Sequence, residues 1–380
     1  MIYLDHNATS PTRPEVTAAM LPYYETRWGN PGSTYAFGAS LKKDIEGARE
    51  AIALLIGANS DEIVFTGSAT ESSNMAISSA LAKYPSKRHI IVSGVEHAAV
   101  LNTVANYERA GYRVSRLPVL EDGSLSLQMV QATIQADTAL VAVMFANNET
   151  GVVFPIDEIS SICANMGVPL YCDAVQAAGR LPINLRRSKI DYLSVSAHKI
   201  GGPKGVAALY CTRKSHVVPL IYGGMQEFGR RAGTENVAGI VGFGQAAQLA
   251  LREMADYRAH VSELRDAFEA EALRRISNCY RNGNVTQRIP NTTNLSFVGI
   301  ESEALLMLLD RAGICASTGS ACLADSPEPS HVISAMRNRR DIPRDYLRFS
   351  FGLANTRQEV DQAISVLVES ISVLRELTLD

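Results

Sequence analysis

The chain has 380 residues, 46% of them hydrophobic and 20% charged, with a formal net charge of −3 at pH 7. That composition supports a large buried core in one big domain or two closely joined ones, and its slightly acidic balance argues against a general binder of nucleic acid or anionic membranes. The longest uncharged helical stretch, 236–251, is too short and too polar for a bilayer span.

Strand-like apolar runs fall at 62–65, 89–93, 112–117, 139–145, 168–172, 192–196 and 206–210, and helical periodicities at 71–83, 98–110 and 156–165 fill gaps between them. This alternation predicts an α/β fold with a largely parallel sheet covered on both faces. The last two strands are separated by a short turn and are expected to be antiparallel, giving a mixed sheet. Two helices are expected at 236–254 and 257–276, followed by a strand at 293–297, a helix at 302–312 and a Gly/Ser-rich loop. Another helix begins near Glu328, and a strand at 346–351 and a helix at 357–377 complete a smaller α+β region. No internal repeat or low-complexity linker is apparent.

Six cysteines, at 163, 172, 211, 279, 315 and 322, form no C-x-x-C pair and no zinc-finger spacing, so no metal site is expected. They read as a reduced set, and the start of the chain shows no basic, apolar leader. A cytoplasmic location is expected.

Ser196-Ala197-His198-Lys199, followed by a Gly-rich turn, closes the run at 192–196. A lysine at the end of a buried strand needs a partner or chemical work. With Ser196 and His198 beside it as phosphate hydrogen-bonders, Lys199 fits a Schiff base to a phosphate-anchored aldehyde cofactor. The alternative is a surface lysine in a turn. Asp173 ends the run at 168–172 one crossover upstream, where open α/β sheets bind ligands. It suits a protonated pyridine nitrogen, with Gln176 directed to the ring oxygen, although Asp at a strand end is often only a helix cap.

Four further segments are candidates. Ser68 and Thr70, between a strand and a helix, make either a simple cap or an anion site at the helix start. His97, after the strand at 89–93, either stacks on a ring or is structural. Asn148 follows another strand end, and Arg348 interrupts an apolar strand. A buried guanidinium there grips either a substrate carboxylate or a structural Asp or Glu. Cys322 sits among small, turn-forming residues, where a thiol is accessible and can ionise.

In their order, Tyr3-Leu-Asp-His-Asn-Ala-Thr9, Trp28-Gly-Asn-Pro31, Ala69-Thr-Glu-Ser72, Glu96-His97, Asn147-Asn-Glu-Thr-Gly151, Asp173-Ala-Val-Gln176, Ser196-Ala-His-Lys199, Arg231-Ala-Gly-Thr-Glu-Asn236, Ser320-Ala-Cys322 and Arg348-Phe-Ser350 resemble a group I cysteine desulfurase of the NifS/IscS type. The resemblance covers essentially the whole length. It implies a fold-type I pyridoxal 5'-phosphate enzyme with a mostly parallel, mixed seven-stranded sheet in a large domain, 13–257. A smaller domain of 1–12 and 258–380 would carry the Cys322 loop.

The resemblance also implies roles. Lys199 would hold the cofactor covalently, with Asp173 on its ring nitrogen, Gln176 on its ring oxygen and His97 against its face. Thr70, Ser196 and His198 would hold the phosphate, with Thr234 reaching the phosphate of the other subunit of a homodimer. Asn148, Arg348 and Asn30 would clamp the carboxylate of L-cysteine. Cys322 would take the sulfur as a persulfide for an acceptor such as an iron–sulfur scaffold. The chain departs mildly at Ser317-Thr-Gly-Ser320 and at Ala232, and its end at Asp380 favours the NifS-like branch. A selenocysteine lyase or a cysteine β-lyase of the same fold is the nearest alternative. A thiol hydrolase using Cys322 and His331 is another, but it leaves Lys199 and Asp173 unexplained.

Overall fold

The computed structural model describes residues 1–319, 329–337 and 344–377. The chain opens with strand β1 (Ile2–Tyr3) and helices α1 (Pro14–Met20), α2 (Pro22–Glu25), α3 (Ala36–Ala39) and α4 (Leu41–Ile56). It then alternates through β2 (Ile63–Thr66), α5 (Ala69–Lys83), β3 (His89–Ser93), α6 (Ala98–Arg109), β4 (Arg113–Leu117) and α7 (Leu127–Thr133). There follow β5 (Thr138–Ala142), α8 (Ile156–Asn165), β6 (Leu170–Asp173), β7 (Tyr192–Ser196) and β8 (Ala207–Cys211). The last third holds α9 (Val237–Arg275), β9 (Cys279–Arg281), β10 (Thr292–Phe297), α10 (Ser302–Arg311), β11 (Ile314–Cys315), α11 (His331–Arg337), β12 (Tyr346–Ser350) and α12 (Arg357–Leu377).

The expected mixed sheet is present, with seven strands in the order β2-β8-β7-β6-β5-β3-β4. Strands β3 to β7 pair in parallel, while β8 is antiparallel to both neighbours. Successive residues feed opposite faces of the sheet: Ile63, Phe65 and Ile91 pack on one side, where the first core lies, and Val64, Ile90 and Val92 on the other. Burial on both faces explains why these strands read as unbroken apolar runs.

A second core lies under the antiparallel sheet β12-β10-β9. Phe268 anchors it, with ring centroids 4.6 Å from Phe349 and 5.6 Å from Phe351. Ile2 and Leu4 join this core, and β1 pairs in parallel with β11. Among the described residues no helix is long and apolar enough to cross a membrane.

The two helices expected at 236–254 and 257–276 are one helix, α9, of 39 residues. No Pro or Gly lies between 245 and 275 to break it. Its apolar face shifts because Ile240 and Phe243 pack in the first core, Val261 and Phe268 in the second. The sequence reading also passed over α4, whose Ile45, Ala48, Ile52 and Leu55 form a helical stripe beneath a charged first half. α4 and α9 touch closely: a Cβ on Gly244 would stand 2.6 Å from the Cα of Ala48.

Candidate active site

The parallel strands all end at one rim of the sheet, and β8 starts there because it runs the other way. The segments leaving this rim enclose a cavity of about 380 Å³. Open α/β sheets place their ligand crevices at such a rim.

From the β2 end, Gly67 to Thr70 line the cavity. The Ser68 hydroxyl caps α5 by accepting the Glu71 amide at 3.1 Å, and Glu71 Oε2 accepts the Gly67 amide at 2.8 Å. The capping reading is therefore realised, on the cavity wall itself. From the β3 end, His97 caps α6 by accepting the Ala99 amide through Nδ1 at 3.1 Å. That bond leaves the proton of a neutral ring on Nε2.

Beyond β5, the Asn147 side chain accepts the Glu149 and Thr150 amides, both at 2.9 Å, which fixes the turn carrying Asn148. At the end of β6, Asp173 accepts the Val175 amide at 3.0 Å. Burial pushes its carboxyl up, while nearby His97 and Lys199 pull the other way. Gln176 lies one turn on, donating to the Asn7 carbonyl at 3.1 Å.

The β7 end supplies Ser196, His198 and Lys199. Gly202 lets the chain fold back here, since a Cβ on it would come 2.8 Å from the Ala197 carbonyl oxygen. His198 Nδ1 meets the Thr9 hydroxyl at 3.1 Å, and burial with nearby cations lowers the ring to about 4. Lys199 Nζ donates to the carbonyls of Asn7 and Ala8 at 2.5 and 2.7 Å. Burial, then Arg348 and Arg180, lower this amine to about 7. A half-neutral lysine at ordinary pH is a nucleophile and a proton carrier.

Arg348 enters from β12. Its Nη1 donates to the Asn148 carbonyl at 2.9 Å and its Nη2 to Asp5 Oδ1 at 2.6 Å. Asp5 is thus the structural carboxylate that the sequence left open. Arg348 Nε, however, is buried with no hydrogen-bond partner among the described residues.

The sequence model of the class-V aminotransferase family matches residues 2–363. The chain belongs to that family. Its members are pyridoxal phosphate enzymes. Along the whole chain it is 48% identical to the cysteine desulfurase of Trichormus azollae, covering 94% of that protein. It is 44% identical to the cysteine desulfurase IscS of Dictyoglomus turgidum over 99% of this chain and 96% of the relative. A solved NifS-like protein superposes with a TM-score of 0.92 at 34% identity, covering 98% of this chain and all of the other.

Within this family member, the rim gathers Thr70, His97, Asn148, Asp173, Gln176, Ser196, His198, Lys199 and Arg348 around one cavity. Two expected residues stand apart. Thr234 lines an adjoining cavity of about 170 Å³ that shares Gly67, Gly205 and Val206 with the first. Asn30 lines neither, and its side-chain oxygen accepts the Gly32 amide at 2.8 Å on an exposed segment. Cys322 lies outside the described residues.

Four residues of the site escaped the sequence reading of chemistry. Asn7 ties the segments together, donating to the Asn148 carbonyl at 3.1 Å and accepting Arg180 Nη1 at 2.8 Å. Arg180 is wholly buried, and its only signal was a charge inside an apolar run. Asp5 was visible only as part of a motif. Glu96 is fully buried beneath His97, accepting the Ser93 hydroxyl at 2.7 Å and the Met144 amide at 2.6 Å.

Proposed function

We propose that this chain is a cysteine desulfurase: it converts L-cysteine to L-alanine and holds the sulfur as a persulfide on Cys322. An acceptor protein, such as an iron–sulfur scaffold, then takes the sulfur. The observation that carries this reading is how the chain approaches the Cys322 segment from both sides. Ser317 exchanges backbone hydrogen bonds with Arg348 at 2.7 and 3.2 Å, and Ser330 Oγ donates to Glu149 Oε2 at 2.6 Å, next to Asn148. One described flank is tied to Arg348 on the cavity wall, the other to the neighbour of the lining residue Asn148. The names of the whole-length relatives support the same reading.

Pyridoxal 5'-phosphate fits the donor set of the cavity. Asp173, a buried carboxylate on the cavity wall, would face the ring nitrogen, with Gln176 on the ring oxygen and His97 on the ring face. Lys199, with its lowered amine, would hold the carbonyl carbon. Thr70, Ser196 and His198 would hold the phosphate at the start of α5, where backbone amides favour an anion. Thr234 would add a contact from the other subunit of a homodimer, and exposed Trp28, Tyr222 and Met225 supply apolar surface for that partner. When bound, the cofactor serves as the sink for electrons released at the substrate's α-carbon.

The remaining work belongs to the chain. Arg348, through the Nε that no described residue meets, and Asn148 orient the substrate carboxylate. Lys199, able to carry or release a proton near pH 7, takes the α-proton and later returns it. The Cys322 thiolate forms an S–S bond to the substrate sulfur as the C–S bond breaks. The C–S electron pair stays with carbon and is protonated, so alanine forms without an outside oxidant.

Product stoichiometry tests the proposal. With L-cysteine and a thiol reductant, alanine and sulfide should appear in equal amounts with no pyruvate. Sulfide accompanied by pyruvate would mean β-elimination, and the role of Cys322 would fall. Parallel rates with L-selenocysteine separate a desulfurase from a selenocysteine lyase.

A further inference from the structure

We propose that Asp5 sets the affinity of the site for the substrate carboxylate by holding Arg348 half-neutralised. This rests on the reading of Arg348 as the carboxylate clamp. Arg348 is 1% exposed, and burial on that scale makes an unopposed guanidinium costly. Asp5 supplies the opposing charge at 2.6 Å from Nη2. Nε and Nη2 lie on the same edge of the planar fork, the edge a carboxylate grips with both oxygens. Asp5 takes one donor of that edge, while the other, Nε, has no hydrogen-bond partner among the described residues.

Asp5 is also fixed in place. Its backbone bridges Ser350, two residues beyond Arg348 on β12, and its carbonyl accepts the Tyr3 hydroxyl at 3.0 Å. A rigid carboxylate beside the clamp repels an incoming one and competes for the same donors. Substrate and product carry the same α-carboxylate, so Asp5 weakens the hold on both. A clamp without it would bind cysteine more tightly and release alanine more slowly, which is uniform binding and does not speed the chemical step.

Asp5→Asn keeps an oxygen for Nη2 and removes the charge. In the holoenzyme, we expect KM for L-cysteine and the inhibition constant of L-alanine each to fall about tenfold, the size expected for one partly buried charge contact. Inhibition by cysteamine, which has no carboxylate, should not change, and Asp5→Ser should shift the constants in the same direction. Unchanged or higher constants in a variant with wild-type melting temperature and cofactor content would overturn the inference. An equal shift for cysteamine would do the same, because the cavity as a whole would then have changed. If neither variant folds or takes up cofactor, Asp5 is a structural residue and the inference fails. Arg348→Gln separates the layers: a KM near wild type defeats the clamp itself, whereas a large rise with no gain in Asp5→Asn defeats only the role given to Asp5.

Discussion

Arg231 reaches across to Glu71, donating through Nε to Oε1 at 3.0 Å, while the other oxygen of Glu71 takes the Gly67 amide. A carboxylate in the first turn of α5 helps the helix but opposes an anion bound at the same end. Arg231 cancels that opposition. The variant Arg231→Gln should therefore weaken binding of pyridoxal phosphate to the apoprotein by about tenfold, and Arg231→Gln with Glu71→Gln should recover most of it. Absorbance titration of the apoprotein measures this without turnover. Wild-type affinity in the single variant would show that Arg231 has no electrostatic part at this site.

The lowered amine of Lys199 predicts how the apoprotein captures its cofactor. Only the neutral amine attacks an aldehyde, so the capture rate should rise about tenfold per pH unit below about 7 and level off above it. Stopped-flow mixing across pH 5.5 to 8.5 resolves the curve. A rate still climbing steeply at pH 8.5 would place the amine near its ordinary value. Lys199→Ala should abolish turnover and leave the cofactor removable by gel filtration.

Glu96 predicts a pH dependence of stability. Complete burial pushes its carboxyl up to about 8, and Oε2 has no hydrogen-bond partner among the described residues. Between about pH 4.5 and 8 the folded protein keeps a proton there that the unfolded chain gives up. Its contribution to stability therefore falls as pH rises through that window, by about 1.4 kcal/mol per unit for one proton. Glu96→Gln holds the neutral shape at every pH. Chemical denaturation at pH 5.5 and 7.5 should show a shallower decline in the variant; parallel declines would mean that Glu96 is ionised when folded.

Cys322→Ala should bind the cofactor as the wild type does and form no persulfide. Mass spectrometry after one turnover with L-cysteine should find an added sulfur only when Cys322 is present. Alanine formation at the wild-type rate in this variant would remove the residue from the chemistry.

His97, Asp173 and Lys199 were legible in the sequence because each closes a short buried run, and a charge or imidazole there is conspicuous against apolar neighbours. Positions whose meaning depends on distant segments were not. Asn7 is explained by Asn148 and Arg180, and Asp5 by Arg348, pairings that only the folded chain reveals. Arg348 illustrates the limit: its sequence left open a structural or a substrate carboxylate, and the structure supplies Asp5 while no described residue meets Nε. His331, weighed as a partner for a thiol, instead meets the Glu96 carbonyl at 2.9 Å through Nε2. The unity of α9 was hidden because its apolar face changes partner midway, which periodicity alone reads as two helices.

That continuity has a mechanical side. At 39 residues α9 is about 58 Å long, one axle shared by both cores. Swinging one core against the other requires bending the axle and straining its ladder of hydrogen bonds, so large hinged opening is resisted. Admission of substrate and departure of product then fall to the loops at the rim of the sheet. The same coupling predicts that heat disrupts the two cores together, as one calorimetric transition rather than two.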